Sequence, residues 1–368
     1  MNDFNDNVAM SVEEIEAHLA LVEADRFADR GEWDAALDRL SAAFDELPHP
    51  EVSYDLAVRM ANIAIEAHRP DVARHAALTA LAINIDSEQS VDALLTLGHA
   101  MSDLGEHDAA LELYEAAREY FVAGDDLPGV AHVDMNVAII YNEQHRTDEA
   151  LELLEWSAVV FSDHECWDDL AACRVNFVAA LRHAKRFDEA AAMATHAINS
   201  SRLLGDQLQL ANALFNGANV DLDMDCWEPA RVGFIEAMEI YRKLNLPTEH
   251  ADCLDALGVI GRHDGLLDYA AAMHTEAIRL YEGKYHDVDQ AAARYNLAIT
   301  QFHLGRFADA RATATLAGGV LGSSLDPSLV IAAAAEALGD TAEAARLRAA
   351  FLERHGQEEF DDQVKAIS

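Results

Sequence analysis

The stretch Asn296-Leu297-Ala298-Ile299-Thr300-Gln301-Phe302-His303-Leu304-Gly305-Arg306-Phe307-Ala308-Asp309-Ala310 decides the fold, because the chain repeats its plan. A helix-forming run reaches a polar break and then a Gly or other turn residue; a larger residue follows two positions on, and an Ala three positions after that. Steps of 40 residues backwards give Gly265/Leu267/Ala270, Asp225/Trp227/Ala230, Lys185/Phe187/Ala190 and His145/Thr147/Ala150. A further step of 40 gives Gly105/His107/Ala110; the step then shortens, to His68/Pro70/Ala73 and Gly31/Trp33/Ala36, and forwards the same mark returns at Gly339/Thr341/Ala344. An internal repeat of this length fixes architecture before any other signal.

Each mark lies between two runs of helical periodicity, so each unit reads helix, short turn, helix. In the fourth, Val133, Val137 and Ile140 share one helical face and Leu151, Leu154 and Ala158 share the facing one. The recurrent Ala is small where the two helices cross closely. Phe121, Phe161, Tyr241 and Tyr281 recur at one phase near the end of the second helix. One such hairpin has too little core to fold alone, and stacked hairpins build a continuous one.

These features resemble the tetratricopeptide repeat (TPR) family, whose unit reads roughly N-L-G-x-x-Y-x-x-x-G-x-[YF]-x-x-A. Asn296-Leu-Ala…Gly305-Arg-Phe307…Ala310 and Asn136-Val-Ala-Ile-Ile-Tyr141…Thr147…Ala150 match it most closely. The resemblance runs from about Val12 to about Arg354. It departs from the family pattern at His145, Lys185 and Asp225, which replace the turn Gly, and at Pro70. It implies an all-α, right-handed superhelical solenoid of about nine helix-turn-helix repeats over residues 11–355, after a flexible tail (1–10) and before a charged tail (356–368). Longer units of this kind are similar to TPR adaptors that cradle extended peptides and to bacterial peptide-sensing TPR regulators.

Composition narrows the function. Acids outnumber bases 66 to 26, a net charge of −40. That repels phosphate backbones and anionic membranes, so neither nucleic acid nor a bilayer is expected as partner. A basic segment of another protein would be steered in; equally, the acidity keeps a long solenoid soluble. Met1 to Met10 lack the charge and apolar core of a secretory leader, and no apolar run is long enough to span a bilayer, so a cytoplasmic location is expected. Scarce Lys and abundant Ala fit a bacterial source. Cys166, Cys173, Cys226 and Cys253 lack metal or redox spacing and read as small buried hydrophobes. With no phosphate loop, nucleophile elbow or metal motif, the sequence predicts no enzyme, no cofactor and no metal.

The candidate binding residues form a ladder: Asn136, Asn176, Asn216 and Asn296, broken by Ala256, with Asn212 and Asn219 one turn either side of Asn216. The resemblance implies that Asn at this phase faces the concave groove and clamps the main chain of an extended peptide. Its amide both donates and accepts, matching a peptide bond. The alternative is an Asn that bonds a neighbouring helix. Because Asn212 and Asn219 flank Asn216, the sixth hairpin is the expected binding centre. A second series, Glu143, His183, Asp223, His263 and His303, falls at the ends of the first helices, as a titratable groove rim or as solvated turn residues. The Lys positions with which some TPR domains hold a partner's terminal carboxylate carry Asp92, Leu95, His132, Met135, Ala172 and Val175 here, so that mode is not expected. The sequence therefore predicts a scaffold or adaptor for an extended, basic protein segment. Two alternatives stand beside it: a peptide-sensing regulator of a signalling or transcription partner, and a self-associating structural solenoid, with oligomeric state open.

Overall fold

A computed structural model of the chain describes residues 11–28, 30–47, 49–83, 87–281, 287–318, 320 and 326–367. The expected tail at 1–10 and most of the Gly/Ser seam, at 322–325, lie outside them. The described residues are helical, without strands, and divide into two compact units, Met1–Gln209 and Leu210–Ser368.

Unit one holds five hairpins. They are α1 (Val12–Ala28) with α2 (Trp33–Glu46), α3 (Pro50–Glu66) with α4 (Pro70–Ile83), α5 (Ser87–Asp103) with α6 (His107–Ala123), α7 (Leu127–Glu143) with α8 (Thr147–Asp163), and α9 (Trp167–His183) with α10 (Phe187–Leu204). α11 (Gln207–Asp223) begins at its end. Unit two holds most of α11, paired with α12 (Trp227–Lys243), then α13 (Pro247–His263) with α14 (Leu267–Leu280), α15 (Asp287–His303) with α16 (Phe307–Ala317), and α17 (Ser328–Ala337) with α18 (Thr341–Ile367). Within each unit, successive helices pack in chain order. First helices also pack on one another, as α1 on α3, α7 on α9 and α13 on α15. Each unit is a stack of hairpins, in which the first helices α1, α3, α5, α7 and α9 of the first unit, and α13, α15 and α17 of the second, lie side by side.

The repeated mark has a backbone cause. Gly31, His68, Gly105, His145, Lys185, Asp225, Gly265, Gly305 and Gly339 all have positive φ, between 52° and 89°. The residue after each donates its N–H to the carbonyl five positions back, as Arg146 to Tyr141 at 2.8 Å and Arg306 to Gln301 at 2.9 Å. This left-handed closure ends the first helix and satisfies its last carbonyls. The larger residue two positions on (Trp33, Pro70, His107, Thr147, Phe187, Trp227, Leu267, Phe307, Thr341) is in every case the first residue of the second helix. The Ala three further, from Ala36 to Ala344, is buried at all nine positions. The connectors between hairpins repeat the device at Asp125, Glu165, Gly205 and Asn245.

Ring positions also register the stack. Tyr241 donates its hydroxyl to Asn212 Oδ1 at 2.8 Å, and Tyr281 makes the equivalent bond to Asp252 at 2.5 Å. Gly98 and Gly258 leave room for the rings of Tyr114 and His274, where an added Cβ would come within 2.6 and 2.4 Å. The charged C-terminal stretch is helical: the chain bends at Gly356 (φ 85°) and residues 357–367 pack back. Phe360 meets Phe351, Ile367 is buried, and Tyr295 donates to Gln363 at 2.7 Å. The buried carboxylate of Asp326 receives Arg354 at 2.7 Å and His355 at 3.1 Å, which ties α17 to α18. Burial alone would raise its pKa, but these contacts and hydrogen bonds from Ser328 hold it below the ordinary value.

An L-residue in the left-handed region costs about 1–2 kcal/mol, whereas Gly costs about 0.5–1 kcal/mol of chain entropy. His145→Gly and Lys185→Gly together should therefore stabilise the first unit by about 1–2 kcal/mol. Gly305→Ala should destabilise the second by about 1 kcal/mol. Denaturant melts followed by helicity check both signs.

Candidate functional site

The ladder residues occupy one repeat position on the first helices but meet different surroundings. In unit one Asn136 is 7 % exposed; it hydrogen-bonds His99 and its Nδ2 is buried without a partner. Burial lowers the pKa of His99, against that bond. Asn176 is half-buried and has no hydrogen-bond partner among the described residues. In unit two Asn216 is likewise half-buried and unpartnered. Its neighbours are engaged: Asn212 accepts from Tyr241, and Asn219 donates at 3.0 Å to Phe215 O in its own helix. Asn296 donates Nδ2 to Asp255 Oδ2 at 2.7 Å.

That last bond belongs to a buried polar network that the sequence reading missed. His274, 0 % exposed, places Nδ1 2.6 Å from Asp255 Oδ1. Its Nε2 is buried without a partner. Arg262 reaches from α13 to the Asn296 carbonyl at 3.2 Å and Thr300 Oγ1 at 3.4 Å; burial lowers its pKa, against the opposing charge of Asp255. A comparison of repeat positions could have found the network. Asp255 stands where Leu95, Met135, Val175, Phe215 and Tyr295 stand, and His274 where Tyr114, Leu154 and Phe234 stand.

One turn earlier, Asp252 has a pKa pushed up to about 7. Burial is the main cause; Asp289, Glu249 and Asp255 add to it, and the bond from Tyr281 opposes it. Its position opposite the end of α14 places it beside the network rather than in it.

The second series sits where expected along the chain, exposed at the ends of first helices. His183 and Asp223 both have interaction partners. His263 stacks on Trp227, centroids 3.8 Å apart at 8°, and lies 3.2 Å from Asp264. His303 lies edge-on to Phe302, and burial together with the charge of Arg262 lowers its pKa. The cysteines divide. Cys173 and Cys253 are buried, and burial pushes the Cys173 thiol up to about 12. Cys166 and Cys226 are half-buried residues preceding α9 and α12. Among the described residues no three His, Cys, Asp or Glu side chains gather to hold a metal, and no helix is long and apolar enough to cross a membrane.

Residues 89–159 match the family model of the tetratricopeptide repeat. The described residues thus form TPR-like stacks of helical hairpins. Residues 176–317 match the family model of the soluble NSF attachment protein, SNAP. No curated protein sequence matches it. Among solved structures it is similar to a signal transduction ATPase with numerous domains (STAND) with a tetratricopeptide repeat sensor from Pyrococcus horikoshii. The TM-score there is 0.63 at 15 % identity, covering 99 % of this chain and 56 % of that one. A Rap protein complexed with competence and sporulation factor gives 0.59 at 14 % identity, covering 95 % and 99 %. Aspartyl phosphate phosphatase F from Bacillus subtilis gives 0.53 at 13 %, covering 98 % and 96 %. At these identities the likeness is one of fold.

Two outcomes follow from these buried groups. The carboxyl of Asp252 is raised above its unfolded value of about 3.9, so the unfolded chain releases its proton first. Its contribution to stability falls as pH climbs from about 4 to about 7. Asp252→Asn still accepts from Tyr281 and removes that fall, so its melting temperature should gain on wild type more at about pH 8 than at about pH 5. Separately, Asp255→Ala strands His274 and Asn296 and should cost about 2–4 kcal/mol. Adding His274→Phe, the residue type at position 234, should restore at least about 1 kcal/mol in a double-mutant cycle.

Proposed function

We propose that the protein is a non-enzymatic cytoplasmic scaffold that holds extended, basic segments of a partner protein on the first-helix face of the repeats in each of its two units. The observation that carries this is the pair Asn176 and Asn216. They share a repeat position, are half-buried, and keep amides with no partner among the described residues. A half-buried amide without a protein partner is available to a ligand, and a peptide main chain offers both the donor and the acceptor that match it. Each unit carries one such contact. Asn136 adds a buried, unpartnered donor in the first, while Asn212, Asn219 and Asn296 hold the face in register through their own bonds. His183 edges the first-helix face of the first unit; Asp223, His263 and His303 edge that of the second, where they tune its charge. The net charge of −40 favours a basic occupant.

A second reading draws on the likeness, over 95 % of the chain, to a Rap protein complexed with competence and sporulation factor. The bound segment is then a short peptide signal, and its binding alters the hold on a signalling or transcription partner.

Quantitative pull-down from native lysate, comparing wild type with Asn176→Ala/Asn216→Ala at matched helicity and melting temperature, tests the scaffold reading. Losing two amide contacts, each worth about 1 kcal/mol, should deplete the principal partner by about tenfold or more. Full retention of every partner removes the reading.

A further inference from the structure

The two ends of the hairpins in the first unit differ in chemistry. At the turns inside hairpins, charges are paired, as Arg146 with Glu149 at 2.5 Å and Arg186 with Glu189 at 2.6 Å. At the connectors between hairpins, large apolar side chains stand in solvent. Trp167, the first residue of α9, is 50 % exposed, and Leu203, near the end of α10, is 89 % exposed. Val122, Leu127 and Leu208 are exposed beside the same connectors. Leu127 and Trp167 hold equivalent places at the starts of α7 and α9, which pack together, so the two lie along one edge. The repeat does not require an apolar residue there: the equivalent positions in other hairpins carry Ser87, Gln207, Pro247 and Asp287. Exposed apolar groups gathered on one edge of an otherwise highly charged protein mark a contact surface.

A cleft of about 570 Å³ opens at one end of this edge. Tyr120 and Phe121 give it aromatic walls, Val91 an apolar floor, and Asp92 and Asp126 carboxylates. The rings are fixed in place: they meet edge to face at 5.7 Å, and Phe121 fills the space that a side chain at Gly129 would need. An aromatic wall beside carboxylates suits a Lys or Arg side chain, which gains both ion pairing and cation–π attraction. Asp125, Asp163, Glu165 and Asp168 extend the negative charge along the connectors, all exposed.

We propose that this connector edge docks a basic, amphipathic segment of a partner protein. One Lys or Arg side chain enters the Tyr120–Phe121 cleft, and the apolar face lies on Leu127, Trp167 and Leu203. The surface is separate from the asparagine face of the scaffold reading. Its charge opposes an anionic bilayer and also a second copy of this chain, which would bring the same acids against themselves.

The probe is a fluorescein-labelled synthetic Leu/Lys peptide with helical spacing of its leucines, titrated by anisotropy into the full chain. Controls are a scrambled peptide of the same composition and one with Glu in place of Lys. Wild type should bind the amphipathic basic peptide at least about tenfold more tightly than either control. Trp167→Ala/Leu203→Ser, which alters only exposed side chains, should weaken it at least about tenfold, as for loss of an aromatic anchor. Tyr120→Ala should weaken it too, and Asn176→Ala/Asn216→Ala should bind as wild type. The proposal is overturned if wild type shows no preference for the amphipathic peptide, if the edge variant binds undiminished, or if the asparagine variant carries the loss instead. Light scattering that finds a wild-type oligomer abolished by Trp167→Ala/Leu203→Ser would assign the edge to a second copy and equally overturn it.

Discussion

Every hairpin depends on reversing the chain within a few residues without leaving helix-end carbonyls unsatisfied. One residue in the left-handed region does this, and the bond closing across it fixes where the second helix starts. Helix start and helix crossing then follow as consequences. The Ala five positions after the turn residue faces the first helix at close approach and is buried in all nine hairpins. A turn placed one residue later would rotate that Ala off the crossing and put a larger side chain in its place.

This is why the fold was legible in the sequence. Glycine at positions 31, 105, 265, 305 and 339 announces the turn directly. His145, Lys185 and Asp225 announce it only by keeping time with the others, because the packing on either side forces the backbone conformation on whatever residue stands there. The C-terminal stretch was legible only as charge. Its helix is held by Phe360, Gln363 and Ile367, three contacts with no place in the repeat, and a bend at Gly356 that resembles no turn before it.

The candidate site was legible as positions rather than as states. Asn at a fixed phase says which helix face it occupies, but its bonding is decided by residues elsewhere. Asn296 meets Asp255 because the preceding hairpin has a carboxylate where Val175 and Phe215 stand in others. Asn216 meets nothing comparable, and its own hairpin carries Phe234 in the core where the next carries His274. The same residue type thus bonds a neighbour in one hairpin and presents an open amide in another, and no pattern local to the Asn distinguishes the two.

In a chain built by repetition, a residue that obeys the repeat is explained by folding, so information about function collects in the departures. Departures come in two physical kinds here. Asp255 and His274 replace apolar core residues with a buried hydrogen-bonded pair, which contributes little net stability compared with close-packed hydrophobes but admits only one arrangement of the α13–α14 hairpin against Asn296. Trp167 and Leu203 go the other way, placing apolar surface in water at positions where other hairpins carry Gln207 or Pro247, and Asp163 or Lys243. The first kind costs little because the network satisfies most of its own polar atoms. Nothing within the hairpin offsets the second, so its compensation has to come from outside the chain. That asymmetry separates the buried network, which the fold closes on itself except at His274 Nε2, from the connector edge, which is complete only with a partner.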